Sequence, residues 1–265
     1  MTAIGIVAEY NPFHLGHRWH IAQTRCLLGQ DCPVVCVMSG HWVQGADCAI
    51  GDKWTRAGLA LAGGADLVLE LPTPWAMASA ETFARGAVSL FAASGVVEVL
   101  SFGSECGSAA ELAQAAAALD HPAYPARLRA ALDKGLSFPA ARQEAAGCPC
   151  LSTPNNNLGV EYLRALAYLN CPLEVVTVPR RGAAHGGTET VEGFASATQI
   201  RRLLRTERYE EAASLVPAGT LERLGKISSL SYVERAILAK LRTMDTGAWA
   251  DLPDSGTAEG LPERL

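Results

Sequence analysis

The chain has 265 residues, 49% hydrophobic and 18% charged, with a formal net charge of −5. That is ample apolar sequence for one large domain or one domain with an appendage, and the longest apolar runs are too short to cross a bilayer. The acidic balance argues against a surface built throughout for nucleic acid, yet Arg180, Arg181, Arg201, Arg202, Arg205 and Arg208 crowd into one stretch that suits phosphate locally.

The opening MTAIGIVAEY has no basic residue before its apolar run and no cleavage pattern, which predicts the first strand of a cytoplasmic protein. The eight cysteines contain no CxxC pair and several sit inside apolar runs, so they read as reduced thiols rather than a disulfide framework or a metal site. Cys148 and Cys150 of GCPC are the one pair that invites a metal test.

AIGIVAE is short, apolar and β-branched, a buried strand, and RWHIAQTRCLL after it has helical spacing. PVVCVMSG is a second strand. DKWTRAGLALAGG reads as a helix capped by Asp52 and stopped at Gly63-Gly64. ADLVLELP is a third strand, SAETFARGAVSLFAASG a helix from a Ser cap to Gly95, VEVLSFGSE a fourth strand, and SAAELAQAAAALD a helix. Residues from about 107 to 152 form a helical insertion before PNNNLGVEYLRALAYLN, a capped helix, and PLEVVTVPRR, the fifth strand. GAAHGGTETVEGFA is a Gly-rich loop expected to be mobile, SATQIRRLLRTERYEEAASLVP holds two short helices, and beyond Gly225 the chain turns helical and then loose.

Strands apolar on both faces, alternating with helices, predict an α/β fold: a Rossmann-like parallel five-stranded sheet with helices on both faces over residues 1–210, then a helical appendage over 211–265. In such sheets ligands bind beyond the carboxyl ends of the strands. The loops EYNPFHLGH, MSGHWVQ, ELPTPW and FGSE all leave carboxyl ends and should share one rim.

Three of the six histidines, His14, His17 and His20, follow the first strand at intervals of three. Zinc would need a third protein ligand, and none is spaced nearby as in a zincin. The alternative is a solvated helix start. Position favours a third reading: the chain turns at Asn11-Pro12 and enters a helix near Gly16-His17, and a helix N-terminus beside a strand end is a ready anion site. Imidazoles there can donate to phosphate oxygens, and Gly16 carries no Cβ to block a phosphate.

HLGH, His14 to His17, resembles the HxGH signature of α/β nucleotidyltransferases and class I aminoacyl-tRNA synthetases, and SATQIR, Ser196 to Arg201, resembles their second signature. GIVAEYNPFHLGH, MSGHWVQ, DKWTRAGLAL, GADLVLELP, SFGSE, PNNNLGVEYLRAL and SATQIR together resemble the tRNA(Met) cytidine acetate ligase family over almost the whole chain. His41, Trp42 and Gly45 stand where that family commonly has Asn, Phe and Arg, and AAHGG replaces a Tyr-His pair after Arg180.

The resemblance implies a HUP-type fold and a two-step reaction. Acetate attacks the α-phosphate of ATP, releasing pyrophosphate; the wobble cytidine of elongator tRNA(Met) then takes the acetyl group and AMP leaves. It implies catalytic roles for His14, His17 and Arg201. It implies ATP contacts from Val7, Ala8, Glu9, Tyr10, Asn11, Pro12, Phe13, His14, Leu15, Gly16 and His17, and from His20, which also reads as a plain helix-face residue. Gly103, Asn155, Asn156, Arg180, Arg181, Ser196 and Thr198 complete the implied ATP site. For Gly103 a plain turn, for Asn155 and Asn156 a helix cap, and for the two arginines a loop charge are the competing readings. Arg202, Arg205 and Arg208 are either helix surface or tRNA backbone contacts. Magnesium is expected to ride on the phosphates, with Glu105 and Asp52 as weaker carboxylate candidates and no protein-held metal. Family members continue into a C-terminal region, which implies that part of the tRNA-binding surface lies outside these residues. The competing functions are a small-molecule adenylyltransferase, of phosphopantetheine or pyridine-mononucleotide type, and an RNA- or nucleotide-binding module without turnover.

Overall fold

A computed structural model of the protein describes residues 3–180, 193–245 and 247–248. Arg181, most of the Gly-rich loop after it and most of the loose tail lie outside the described residues. The chain forms two compact units, Met1–Ile227 and Ser228–Leu265.

Five strands, β1 (Ala3–Ala8), β2 (Val34–Ser39), β3 (Leu67–Leu71), β4 (Val97–Ser104) and β5 (Glu174–Pro179), form one sheet in the order β3-β2-β1-β4-β5. All neighbouring pairs are parallel, with Ile4 opposite Val34, Val35 opposite Leu67, Gly5 opposite Leu100 and Val99 opposite Glu174. The expected parallel sheet is therefore the observed one. A two-stranded hairpin, Trp42–Val43 with Asp47–Cys48, sits after β2 and was not foreseen. Two-residue strands are too short to show a period in sequence.

β2 explains why the sheet is covered on both sides. All six of its residues are buried. Val35 and Val37 face one layer, with Phe83, Phe91, Leu100, Phe102 and Leu112. Val34, Cys36 and Met38 face the other, with Ile4, Ile6, Phe13, Leu59 and Ile200. Alternate residues of a strand point to opposite faces, and each fully buried aliphatic or aromatic side chain contributes roughly 1.5–3 kcal/mol. The first layer is closed by α3 (Ala80–Ser94), α4 (Ala109–Leu119) and α7 (Pro154–Tyr168). The second is closed by α1 (Leu15–Leu28), α2 (Lys53–Ala62) and α8 (Ala197–Arg205). Two further helices, α5 (Tyr124–Asp133) and α6 (Phe138–Ala146), lie in the stretch expected as a helical insertion. Short helices α9 (Tyr209–Ala213) and α10 (Thr220–Leu224) place Ala212, Leu215 and Leu224 in the second layer. The second unit contains α11 (Glu234–Arg242).

Asp52 caps α2, accepting from the N–H groups of Trp54 and Thr55 at 2.9 Å each. Gly95 ends α3 with φ 65°, a left-handed conformation that suits glycine. α1 starts earlier than its apolar spacing suggested, at Leu15, because His14 itself is the cap. No described helix is long and apolar enough to cross a membrane. The strand order turns back on itself between β1 and β4, which is where a parallel sheet opens a crevice at its carboxyl edge.

Candidate active site

A cavity of about 360 Å³ occupies that crevice. The chain leaves β1 through Glu9, Tyr10 and Asn11, passes a cis Asn11-Pro12 bond, and enters α1 at Leu15. Asn11 is buried, and its Oδ1 accepts from the Ile50 amide at 2.7 Å, which ties this loop to the end of the hairpin segment.

His14 and His17 form a reciprocal cap. His14 Nδ1 accepts from the Gly16 amide at 3.0 Å, and His17 Nδ1 accepts from the His14 amide at 3.2 Å. The rings stack with centroids 3.6 Å apart. Burial, with Arg180 and Arg201 nearby, lowers His14 to about 3. Burial, then His14, Arg180 and His20, holds His17 well below the usual imidazole range. Both rings are therefore neutral at pH 7. With Nδ1 accepting in each, the proton sits on Nε2, so each ring offers one N–H donor. A Cβ on Gly16 would lie 2.9 Å from His14 Cε1. The glycine thus makes room for the capping ring. His20 Nε2 lies 3.0 Å from Ser101 Oγ, and Thr24 Oγ1 lies 2.7 Å from the same oxygen. Burial and Arg180 lower His20 to about 4.

The second signature meets the first here. Ser196 caps α8, its Oγ accepting from the Gln199 amide at 3.1 Å. One turn on, Arg201 donates from Nη1 to the Asn11 carbonyl at 2.8 Å and from Nη2 to Thr198 Oγ1 at 3.1 Å. Ser196, Thr198 and Arg201 line the cavity with Val7, Ala8, Glu9, Tyr10, Asn11, His14, Gly16, His17, His20, Gly103, Asn155 and Arg180.

Other residues named from the sequence lie elsewhere. Phe13 is fully buried in the second core layer, and Leu15 donates its amide to the Leu215 carbonyl at 3.2 Å. Neither they nor Pro12 line the cavity. Asn155 and Asn156 do not cap α7. Thr153 is the N-cap, Pro154 opens the helix, and both asparagines turn to the loop after β4 instead. Asn156 Oδ1 accepts from the Glu105 and Cys106 amides at 2.9 and 3.2 Å, and its Nδ2 donates to the Cys150 carbonyl at 3.0 Å. Asn156 is thereby committed to structure, while Asn155 reaches the cavity and accepts from Arg180 Nη1 at 3.2 Å. At Gly103 a Cβ would lie 3.3 Å from Arg180 Cγ, so the glycine lets that arginine pass. Arg205 pairs with Asp47 at 3.6 Å and Arg208 with Glu211 at 2.5 Å, whereas Arg202 is exposed. Arg181 lies outside the described residues.

Neither weaker magnesium candidate lines the cavity, and both already accept hydrogen bonds. Asp52 is taken by its capping bonds. Glu105 accepts from Asn155 Nδ2 at 2.6 Å and from the Asn156 amide at 2.9 Å. Among the described residues no cluster of three or more His, Cys, Asp or Glu is placed to hold a metal, and all eight cysteines are free thiols.

The structure adds residues that the sequence reading passed over. Tyr162, Leu158, Phe102 and Phe83 line the cavity on the first-layer side, with the Phe102 and Tyr162 ring centroids 5.4 Å apart. Asn155, Leu158 and Tyr162 stand at i, i+3 and i+7, a helix-face spacing that could have linked them. Arg56 is fully buried, with its guanidinium under the loops after β1 and β2. It donates to the carbonyls of Glu9, Ser39, Gly40 and Gly51.

The whole chain, residues 1–265, matches the family model described as HIGH Nucleotidyl Transferase. A tRNA(Met) cytidine acetate ligase from Alkaliphilus metalliredigens is 36% identical, over 100% of this chain and 68% of the relative. One from Acetivibrio thermocellus is 41% identical over 78% of this chain and 52% of the relative. Among solved structures, apo Thermotoga maritima TmcAL superposes with a TM-score of 0.89 at 34% identity, covering 100% of this chain and 67% of that one. The same protein bound with alpha-thio ATP gives 0.87 at 34% identity, covering 100% and 66%. The chain thus spans from about half to about two thirds of the length of these relatives. With both signatures converging on one cavity and these likenesses running along the sequence, the chain belongs to the HIGH nucleotidyltransferase family and, within it, to the tRNA(Met) cytidine acetate ligases.

Proposed function

We infer that the protein activates acetate with ATP and passes the acetyl group to the wobble cytidine of elongator tRNA(Met). The observation that carries this is the convergence of HLGH and SATQIR, far apart in sequence, on one cavity at the sheet's switch point, joined by the Arg201 bond to the Asn11 carbonyl. The relatives' names supply the acceptor, and the alpha-thio ATP bound to a solved relative supports the nucleotide.

In the first step an acetate oxygen attacks the α-phosphorus and pyrophosphate leaves. His14 and His17 donate their Nε2–H groups to phosphate oxygens, and being neutral they need shed no proton to do so. Arg201 and Arg180 supply fixed positive charge as negative charge builds on the leaving group. Preorganised donors of this kind are each worth roughly 10²–10³ in rate. Asn155, Gly103 and the β4 edge take the nucleoside. In the second step the cytidine amine attacks the acyl carbon and AMP leaves, so no protein nucleophile is required. Glu9 is the one carboxylate lining the cavity among the described residues, too few for a protein cage around a hard cation. A magnesium ion would therefore ride on the phosphates.

Isotope exchange between pyrophosphate and ATP is the test. It should require acetate and should not be supported by pantetheine phosphate or a pyridine mononucleotide. Exchange driven by either of those instead would favour a small-molecule adenylyltransferase.

A further inference from the structure

The activation step leaves the carboxylate of Glu9 without a task. Building on the tRNA acetylation inferred above, we propose that Glu9 receives the exocyclic amine of the target cytidine and takes its proton during acetyl transfer. That amine is a poor nucleophile, because its lone pair is delocalised into the ring. As the new N–C bond forms, the nitrogen becomes acidic and needs an acceptor beside it. A carboxylate is also the usual protein partner of the cytosine amine.

The placement of Glu9 fits. It leaves β1 at the carboxyl edge and lines the cavity. Its Oε1 accepts from the Gln44 amide at 3.0 Å, which fixes the carboxylate plane, while Oε2 makes no hydrogen bond among the described residues. Its backbone carbonyl is held by Arg56 Nη1. Other candidates are occupied or carry the wrong proton. Both oxygens of Glu105 are taken by Asn155 and Asn156. His14 and His17 use Nδ1 as acceptors already and present donors. His20 Nε2 is engaged with Ser101. Tyr162 stays a phenol, since burial and the Glu9 charge raise it far above its usual range.

Burial also raises Glu9, moderated by the Gln44 amide, Arg201 and Arg56 and assisted by Asp47. Moving a carboxylate towards working pH strengthens it as a base. In the step, the amine lone pair attacks the carbonyl carbon of the acetyl-adenylate. The C–N bond forms, the C–O bond to the phosphate breaks, and AMP departs with that electron pair. One amine proton passes to Glu9 Oε2 and then to solvent, which restores the carboxylate.

The test supplies synthetic acetyl-adenylate and elongator tRNA(Met), bypassing activation, and follows transfer in a single turnover. For the unaltered chain the rate should rise with pH along one ionisation above the ordinary glutamate value of 4.5. Glu9→Gln keeps the volume and an acceptor for Gln44; it should slow transfer about a hundredfold, the low end for loss of a general base, and remove that ionisation. Transfer by Glu9→Gln at the unaltered rate, or with the same pH profile, overturns the proposal. So does a flat profile in the unaltered chain, a measurement that needs no variant to fold. Failure of the unaltered chain to acetylate tRNA at all would overturn the acetylation function itself, and this inference with it.

Discussion

Histidines buried in a cap behave unlike histidines in water. In the folded chain His14 ionises at about 3 and His20 at about 4, because burial disfavours the charged ring. In the unfolded chain both protonate near 6.5. As pH falls from about 6.5 towards 3, the unfolded state takes up protons that the native state does not, so stability declines across that window and is fully present above it. Ring resonances followed by NMR should show His14 and His20 neutral down to pH 5; a midpoint near 6.5 for either in the folded chain would contradict the capped, buried geometry. His17→Ala should slow adenylate formation by about a hundredfold or more while the protein remains folded by circular dichroism. An unaltered rate would remove that ring from the phosphate site. At this scale the sequence was partly readable. HLGH marked the donors, because their spacing and strand-end position are local. The reason for Gly16 was not readable, since the contact it avoids is with its neighbour's ring in a conformation set by the fold.

Arg56 shows how an element end is held. α2 begins below the loops that follow β1 and β2, and one guanidinium gathers carbonyls from both, and from Gly51. Burial lowers Arg56 to about 10, so it remains charged. Arg56→Met should destabilise the protein by about 3 kcal/mol or more, because four carbonyls lose their donor and each buried acceptor left unsatisfied costs about 1–3 kcal/mol, read as a lower midpoint in urea. Arg56→Lys should recover little, because an ammonium cannot span a planar fork of carbonyls. A loss below about 1 kcal/mol in both variants would mean that the loops hold themselves. DKWTRAG announced a capped helix in sequence, and Asp52 does cap it. The role of the arginine within it was not legible in sequence, because its partners are backbone groups of distant loops that no local pattern records. The strands were legible for the opposite reason: an apolar run covered on both faces carries its burial in its own composition. Asn155 and Asn156 show the limit. Their residue type suits a cap, yet Pro154 moves the cap to Thr153 and frees both side chains for the loop after β4.

Across the whole molecule, the proposed function asks an acidic chain to hold a polyanion. Arg202 is exposed on α8, Arg205 sits beside it in a loose pair with Asp47, and surface pairs of this kind contribute little to stability. Replacing Arg202 and Arg205 by Ala should therefore leave the fold intact, weaken tRNA binding, and reduce the slope of log affinity against log salt by up to about 2. An unaltered slope would make them ordinary surface charge. The sheet and both signatures lie inside the first unit, so the proposed activation belongs there. Whether this cavity makes an acyl-adenylate for a tRNA cytidine is read from the fate of the acyl carbon. Elongator tRNA(Met), incubated with the chain, ATP and carbon-labelled acetate, is digested to nucleosides and weighed by mass spectrometry. One labelled acetyl group is expected on a single cytidine, absent when ATP is withheld. Label that accumulates on AMP or on a small molecule while every cytidine stays unmodified would contradict it.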